Sequence, residues 1–440
     1  MTDSTLLVIG AGPKALSIAA KRQVLQKLGF PVPELIVVDR RGVATSWSGE
    51  SGLTDGTPVL GTPPEKDVGF PYDSSTWGSL NATVNAEMMA FSWHSYLMST
   101  GSYSSWIDRG KPQPTHRAWS RYLRWVASRL DLRVEVEEIR EITVRGDRWV
   151  VSCGDPEHGE AHTFAGDGLV ITGTGTPTRV PGQPEKHHRV MDGMTFWMRR
   201  RKLEHKGCPV SVAVVGTGET AASIVVALIE SLHPHSSIDI ISATGVPYSR
   251  GESYEESRLF SNPSPEWYHL TEHHRREFLH RTDRGVFSMR AQETIDRAEN
   301  VRSLPGQVTH VDASDEHVLI DIRYGDEVER AAYDFVVVAI GFNPLSFLSL
   351  LDSSALARII RPLGNLDRGR IERAIGYDLA VEGSLPRLHL PMLAGLQQGP
   401  GFPNLSCLGL LSDRVLADYV VPEEIPRIKA EAEISLGAAR

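Results

Sequence analysis

Two stretches of the chain share one pattern: a short apolar run, a cluster of glycines, a helix-forming segment, then a second apolar run. Leu6–Ile9 is the first run; GAGPKA follows, Leu16–Leu28 reads as a helix, and Leu35–Val38 as a second strand. The order recurs at Pro209–Val215 (PVSVAVV), GTGETA, Ala221–Leu232 and Ile238–Ser242. Short apolar runs bounded by turn residues are the pattern of parallel strands buried on both faces. Between the two units, residues 41–84 are dense in Gly, Pro, Ser and Thr, and a loop of that length inside a compact domain serves more than connection. Met88–Leu130 returns to helical spacing, with Trp119, Tyr122, Leu123 and Val126 on one face. Arg133–Cys153 alternates like antiparallel strands around a Gly146–Asp147 turn.

Two further strands run into small-residue turns, GLVITGTGTP at 168–177 and FVVVAIGFNP at 335–344. They flank the second β-α-β unit, where a chain would cross between two nucleotide domains. Residues 245–300 are polar and aromatic with weak periodicity, the C-terminal stretch reads as apolar loop plus helix, and the tail 422–440 as solvated and frayed. The expected fold is α/β, with two Rossmann-like dinucleotide-binding domains, the second inserted into the first, and a small helical and loop region for substrate. The expected units are 1–190, 191–335 and 336–440.

Composition narrows the function. At about 150 residues per unit, 440 residues leave room for more than one core. The formal charge of −9 offers no general attraction to nucleic acid or anionic lipid. The start, MTDSTLLVIGAG, lacks the basic and apolar regions of a signal peptide, and no apolar run approaches the ~18–20 residues of a membrane span. Cys153, Cys208 and Cys407 are far apart with no CxxC, which argues against disulfides and thiolate metal sites and fits a reducing cytoplasm.

The candidate chemistry lies in the glycines. In Gly10-Ala11-Gly12-Pro13-Lys14-Ala15 the first glycine permits a tight turn and the second lets backbone approach a pyrophosphate. The helix that follows offers its N–H groups and positive dipole end, and Asp39 closes the next strand where a ribose-binding acid belongs. Gly216-Thr217-Gly218-Glu219-Thr220-Ala221 repeats the cradle, but its second strand ends at Ser242 without an acid, and Arg250 follows shortly. That favours the 2′-phosphate of NADPH over NADH, with Arg250 a candidate partner for it. Two such cradles suggest a flavin, FAD, and a nicotinamide.

Other readings are weaker. A disulfide reductase needs a cysteine pair near the flavin, which this chain lacks. A Baeyer–Villiger enzyme carries F-x-G-x-x-x-H before the second cradle, where Met191-Asp192-Gly193 and Trp197 supply neither Phe nor His. The pairs His187–His188, His233/His235 and His273–His274 lack a closed ligand set, so no metal is expected. Trp93, Trp106, Trp119 and Trp125 read as core.

The stretches GTPPEKDVGFPY, SWHSYL, WIDRGKPQPTHRAWSRYLRWVA, TDRGVFS, AIGYDLAV and QGPGFPNLSCLGLLSDRVL are long and irregular. Through them the sequence resembles the flavin-dependent N-hydroxylating monooxygenases, nearest the lysine N6-hydroxylases of mycobactin-type siderophore assembly. The resemblance implies that NADPH reduces FAD, that O2 adds to give a flavin hydroperoxide, and that the side-chain amine of L-lysine attacks it to yield N6-hydroxylysine. It places Trp47 at the flavin, with Ser48 for the family's histidine, and Lys66 of PPEKD on the substrate carboxylate. Gly61 stands where ornithine enzymes have a flavin-stacking glutamine. Ser257 and Asp283 stand where they have asparagines that hold substrate or nicotinamide, and Ile340 replaces a threonine. Ser412, or failing it Ser406, matches the active-site L-L-S segment. A homo-oligomer and a link to siderophore assembly enzymes are further implications. Ornithine or an acylated lysine as substrate, or a non-catalytic flavoprotein sensor or assembly partner, are the alternatives.

Overall fold

The computed structural model describes residues 4–50, 54–154, 162–204, 207–263 and 265–420; the tail expected to fray lies outside them. Two five-stranded parallel sheets carry the architecture. The first has the order Arg387–His389, Gly168–Ile171, Thr5–Ile9, Glu34–Asp39, Arg133–Val136. The second has the order Val301–Pro305, Ser237–Ser242, Ser211–Val215, Phe335–Val338, Val190–Asp192. In each, the strand that leads into a glycine cradle is central and wholly buried at Leu6–Val8 and at Val212–Val214. That position explains the unbroken apolar runs, because both faces are covered.

Strand pairing refines the expected boundaries. The cuts after 190 and after 335 both fall within strands of the second sheet, so its hydrogen-bonded ladder runs from Val190 to Val338. Arg133–Val136 also departs from expectation. It leaves the antiparallel group, which comprises Ile139–Arg145, Arg148–Cys153 and His162–Gly166, and joins the first sheet as a parallel edge.

The helix Pro13–Lys27 starts on a proline, whose fixed φ and missing N–H suit the first turn. It buries Ala15, Leu16, Ile18 and Ala19 and packs against the late helix Leu408–Ala417. The stretch around Asp67 is anchored by its own carboxylate. The buried Asp67 carboxylate accepts from the Tyr72 hydroxyl at 2.6 Å, the Trp93 N–H at 2.8 Å and the Gly69 N–H at 3.1 Å. Burial pushes its pKa up to about 6, against the pull of those donors. Trp93, Trp106 and Trp119 are buried, as expected, with Trp125 packed alongside.

Residues 245–300 form helices at Tyr254–Ser261, Glu266–His269, Glu272–Thr282 and Met289–Asp296. A parallel pairing of Tyr248–Ser249 with Val286–Phe287 closes the region on itself, and Met289–Asp296 packs against the helix Glu219–Ser231 of the second unit. No described helix is long and apolar enough to cross a membrane.

Candidate active site

The first cradle has the form a dinucleotide needs. Gly10 sits at φ +99°, and a Cβ there would stand 2.6 Å from Thr172 Oγ1, so only glycine fits. Gly12 precedes the helix Pro13–Lys27 with open space where its Cβ would be, and no side chain caps the helix start. Uncapped N–H groups beside an open surface are what a diphosphate occupies. Asp39 accepts from the Ala11 N–H at 2.9 Å through one oxygen and from the N–H groups of Arg41 and Gly42 at 2.8 and 3.0 Å through the other. It thus fixes the glycine turn as well as facing the cleft. That cleft, about 260 Å³, is lined by Gly10, Gly12, Pro13, Lys14, Asp39 and Trp47 among others. Trp47 lies edge-on to His116 at 4.8 Å between ring centroids. Lys14 turns its ammonium away, onto the Pro403 carbonyl at 2.8 Å, and burial lowers its pKa to about 8. The residues present fit FAD.

The second cradle repeats the form. Gly216 is at φ +118°, where a Cβ would approach the Ala339 carbonyl oxygen to 2.4 Å, while Gly218 opens onto space. A cleft of about 790 Å³ runs from Gly216, Gly218, Glu219 and Thr220 along the acid-free strand end at Ser242. Two expected residues are held by other elements. The Glu219 carboxylate lines the cleft and also accepts from the N–H and hydroxyl of Ser288, both at 3.0 Å, which joins two elements. Arg250 does not line this cleft; the cations that do are Arg284 and Arg368, both beside the buried Glu372. Ile340, in the position of the family's threonine, also lines it. The cleft's size, glycines and cations fit a phosphorylated dinucleotide.

A third cavity, about 540 Å³, brings together Lys66, Arg250, Ser257, Arg258, Phe260 and Ser406. Lys66 is half-buried with no carboxylate partner among the described residues. Burial, and then the charge of Arg250, lower its pKa. Asp67, the neighbour that could have neutralised it, points inward instead.

Asp283 lies on the wall of the second cleft and accepts from the Asn404 amide at 3.3 Å. Burial raises its pKa against the pull of Arg250 and Arg284. Ser412 is fully buried, and its hydroxyl donates to the Gly409 carbonyl at 2.8 Å inside the helix Leu408–Ala417. Ser406, just before that helix, is the serine of this segment that reaches the cavity, because a residue one turn into a packed helix faces the core. Cys407 is buried near Lys14 and Lys66, its pKa pushed up to about 12 by burial. The sequence singled out neither Arg284 nor Arg368; surface-like arginines carry no local signal of what distant segment they meet. His187 and His188, read as ordinary, are joined by Asp315, with ligand atoms within 4.8 Å of one another. The third member comes from far along the chain.

Two dinucleotide cradles on separate parallel sheets, with all three cysteines free, define a two-domain nucleotide-binding oxidoreductase fold without a disulfide redox centre. The model of the L-lysine 6-monooxygenase/L-ornithine 5-monooxygenase family matches residues 82–344. The chain is 43% identical over 430 residues to L-lysine N6-monooxygenase MbtG of Mycolicibacterium paratuberculosis, covering 96% of this chain and 97% of that one. It is 43% identical over 421 residues to the Mycobacterium tuberculosis protein of the same name, covering 94% of each. Among solved structures, lysine monooxygenase NbtG from Nocardia farcinica matches with a TM-score of 0.81 at 43% identity, over 94% of this chain and 100% of that one. An ornithine N-hydroxylase from Kutzneria matches in fold, with a TM-score of 0.73 at 18% identity over 94% of this chain and 98% of that one. The chain belongs to the lysine/ornithine N-monooxygenase family.

Proposed function

We propose that this protein is an FAD- and NADPH-dependent monooxygenase that converts the side-chain amine of free L-lysine to N6-hydroxylysine, a hydroxamate precursor for siderophore assembly. One observation carries the choice of site: a half-buried ammonium, Lys66, without an ion-pair partner among the described residues, on the wall of a largely apolar cavity. In this reading the first sheet holds FAD and the second NADPH. Bound flavin supplies electron transfer from NADPH and the activation of O2.

The chain's residues supply position. Lys66 holds the substrate carboxylate as a point charge, with the hydroxyls of Ser257 and Ser406 on the same wall. The buried Phe260 on the same wall excludes water. The reacting amine must be neutral, while free lysine has a pKa of about 10.4, so the rate rises toward alkaline pH and no dedicated base is required. With the carboxylate fixed, ornithine's amine stops one methylene short; a misplacement of about 1 Å costs on the order of a hundredfold in rate. Three free cysteines fit a cytoplasmic setting, where supply to siderophore assembly enzymes would take place.

The test is purified, FAD-loaded protein with NADPH and O2, offered L-lysine, L-ornithine or N6-acetyl-lysine. Hydroxylamine product is expected from lysine. Peroxide release without hydroxylamine for every substrate would overturn the assignment.

A further inference from the structure

Three cations line the Lys66 cavity, and they are not in the same state. Arg258 is neutralised by Glu255 at 3.0 Å and Glu266 at 2.9 Å. Lys66 and Arg250 have no ion-pair partner among the described residues, although Glu252 acts on Lys66 and the buried Asp283 on Arg250 from further away. The two half-buried cations also act on one another across the cavity they share, and a carboxylate taken up there would be attracted by both.

Arg250 is also held in place. Its N–H donates to the Phe287 carbonyl at 2.7 Å, extending the Tyr248–Ser249 pairing. The next residue is Gly251, where a Cβ would meet the Glu256 carboxylate at 2.2 Å. Glu256 lies so close because it closes a capping box with Ser253 at the start of the helix Tyr254–Ser261. At its far end the guanidinium donates through Nη1 to the Gly61 carbonyl at 3.1 Å. A Cβ at 61 would be tight against Glu219 Oε1 at 3.2 Å and in ordinary contact with the same Nη1 at 3.7 Å. One donor is used on Gly61, and the planar fork retains others for a carboxylate.

We propose that Arg250 is a second carboxylate-binding residue, which with Lys66 forms a two-cation clamp for the α-carboxylate of the amino-acid substrate, in space left open by Gly61. The inference rests on the lysine-hydroxylase reading and adds a requirement to it: the substrate is taken with its carboxylate free, not as an ester or amide.

The experiment compares wild type, Arg250→Met and Arg250→Lys with L-lysine and L-lysinamide, measuring KM and kcat for each and KM for NADPH, with flavin content as the folding control. For Arg250→Met, KM for lysine rises about tenfold or more, as for loss of a charge-assisted hydrogen bond, and Arg250→Lys recovers part of it. Lysinamide, lacking the carboxylate, is used equally by wild type and Arg250→Met. A lysine KM within twofold of wild type, an equal penalty on lysinamide, or a rise confined to the NADPH KM would each overturn the proposal while wild-type lysine hydroxylation left the underlying reading standing. Wild-type protein that hydroxylates no lysine overturns both.

Discussion

Lys21 and Asp413 meet inside the first domain with Nζ and Oδ1 2.6 Å apart, both almost wholly buried. The same Oδ1 accepts from Trp77 Nε1 at 2.7 Å, Lys21 also donates to the Ser74 hydroxyl, and Oδ2 has no partner. Removing one member of such a pair strands the other charge, at a cost of about 3–5 kcal/mol, whereas replacing both with apolar residues costs far less. Asp413→Asn is expected to lose about that much stability in urea unfolding. The double variant Lys21→Met/Asp413→Leu should be more stable than the sum of its singles.

Lys66→Ala should raise the KM for lysine about tenfold to a hundredfold, as for a charge-assisted contact of about 1.5–3 kcal/mol. Steady-state kinetics against stopped-flow flavin reduction separates the steps, since reduction by NADPH should persist. An unchanged lysine KM would remove Lys66 from the site.

The two cradles should fail independently. Gly10→Ala forces a Cβ against Thr172 at a positive φ and should yield protein with little flavin absorbance. Gly216→Ala pushes on the Ala339 carbonyl and should keep flavin but slow its reduction at low NADPH.

Ser406→Ala and Ser412→Ala divide the C-terminal serines. The first removes a hydroxyl from the cavity wall and should raise the lysine KM severalfold. The second removes a buried helix-internal bond and should cost about 1 kcal/mol of stability with lysine kinetics unchanged.

Acid should weaken the fold through its buried imidazoles. His389 donates from Nδ1 to the Asp378 carbonyl and accepts at Nε2 from the Tyr419 hydroxyl, both at 2.8 Å, and burial lowers its pKa to about 4. His116 is lowered to about 4 by the same cause. An unfolded histidine protonates near 6.5. From pH 6.5 down to 4 the unfolded chain therefore binds protons the native chain refuses, and stability falls as pH drops. Asp67, raised to about 6, and Asp418, raised to about 7, both by burial, work in the opposite direction, since the native chain takes up their protons first. His389→Gln should therefore make the urea midpoint at pH 4, relative to that at pH 7, higher than in wild type, because one of the two opposing imidazoles is gone.

What the sequence disclosed and what it withheld follow from locality. Gly10, Gly12, Gly216 and Gly218 were legible because a turn, a strand and a helix start are written in consecutive residues. Lys66 is singled out by a motif and lies on the wall of the third cavity. Arg250 follows a strand end, which suggests the second cleft; it lines the third cavity instead, because the Phe287 carbonyl and the Gly61 carbonyl that fix it come from other parts of the chain. Ser412 completes the L-L-S match, yet the helix that buries it starts at Leu408 and Ser406 is the serine on the cavity wall. Glu219 lines the second cleft, as its place in the cradle suggests, while its bond to Ser288 has no local signal.

The late strand Arg387–His389 and the helix carrying Asp413 complete the sheet whose nucleotide turn lies at Gly10. On the ribosome, at about 5–20 residues per second, the amino-terminal half-domain therefore waits on the order of tens of seconds for its missing edge. The inserted sheet is finished earlier, at Val338. The nascent chain thus carries an open, apolar first sheet beside an already folded insert, and flavin capture is a late event in its synthesis.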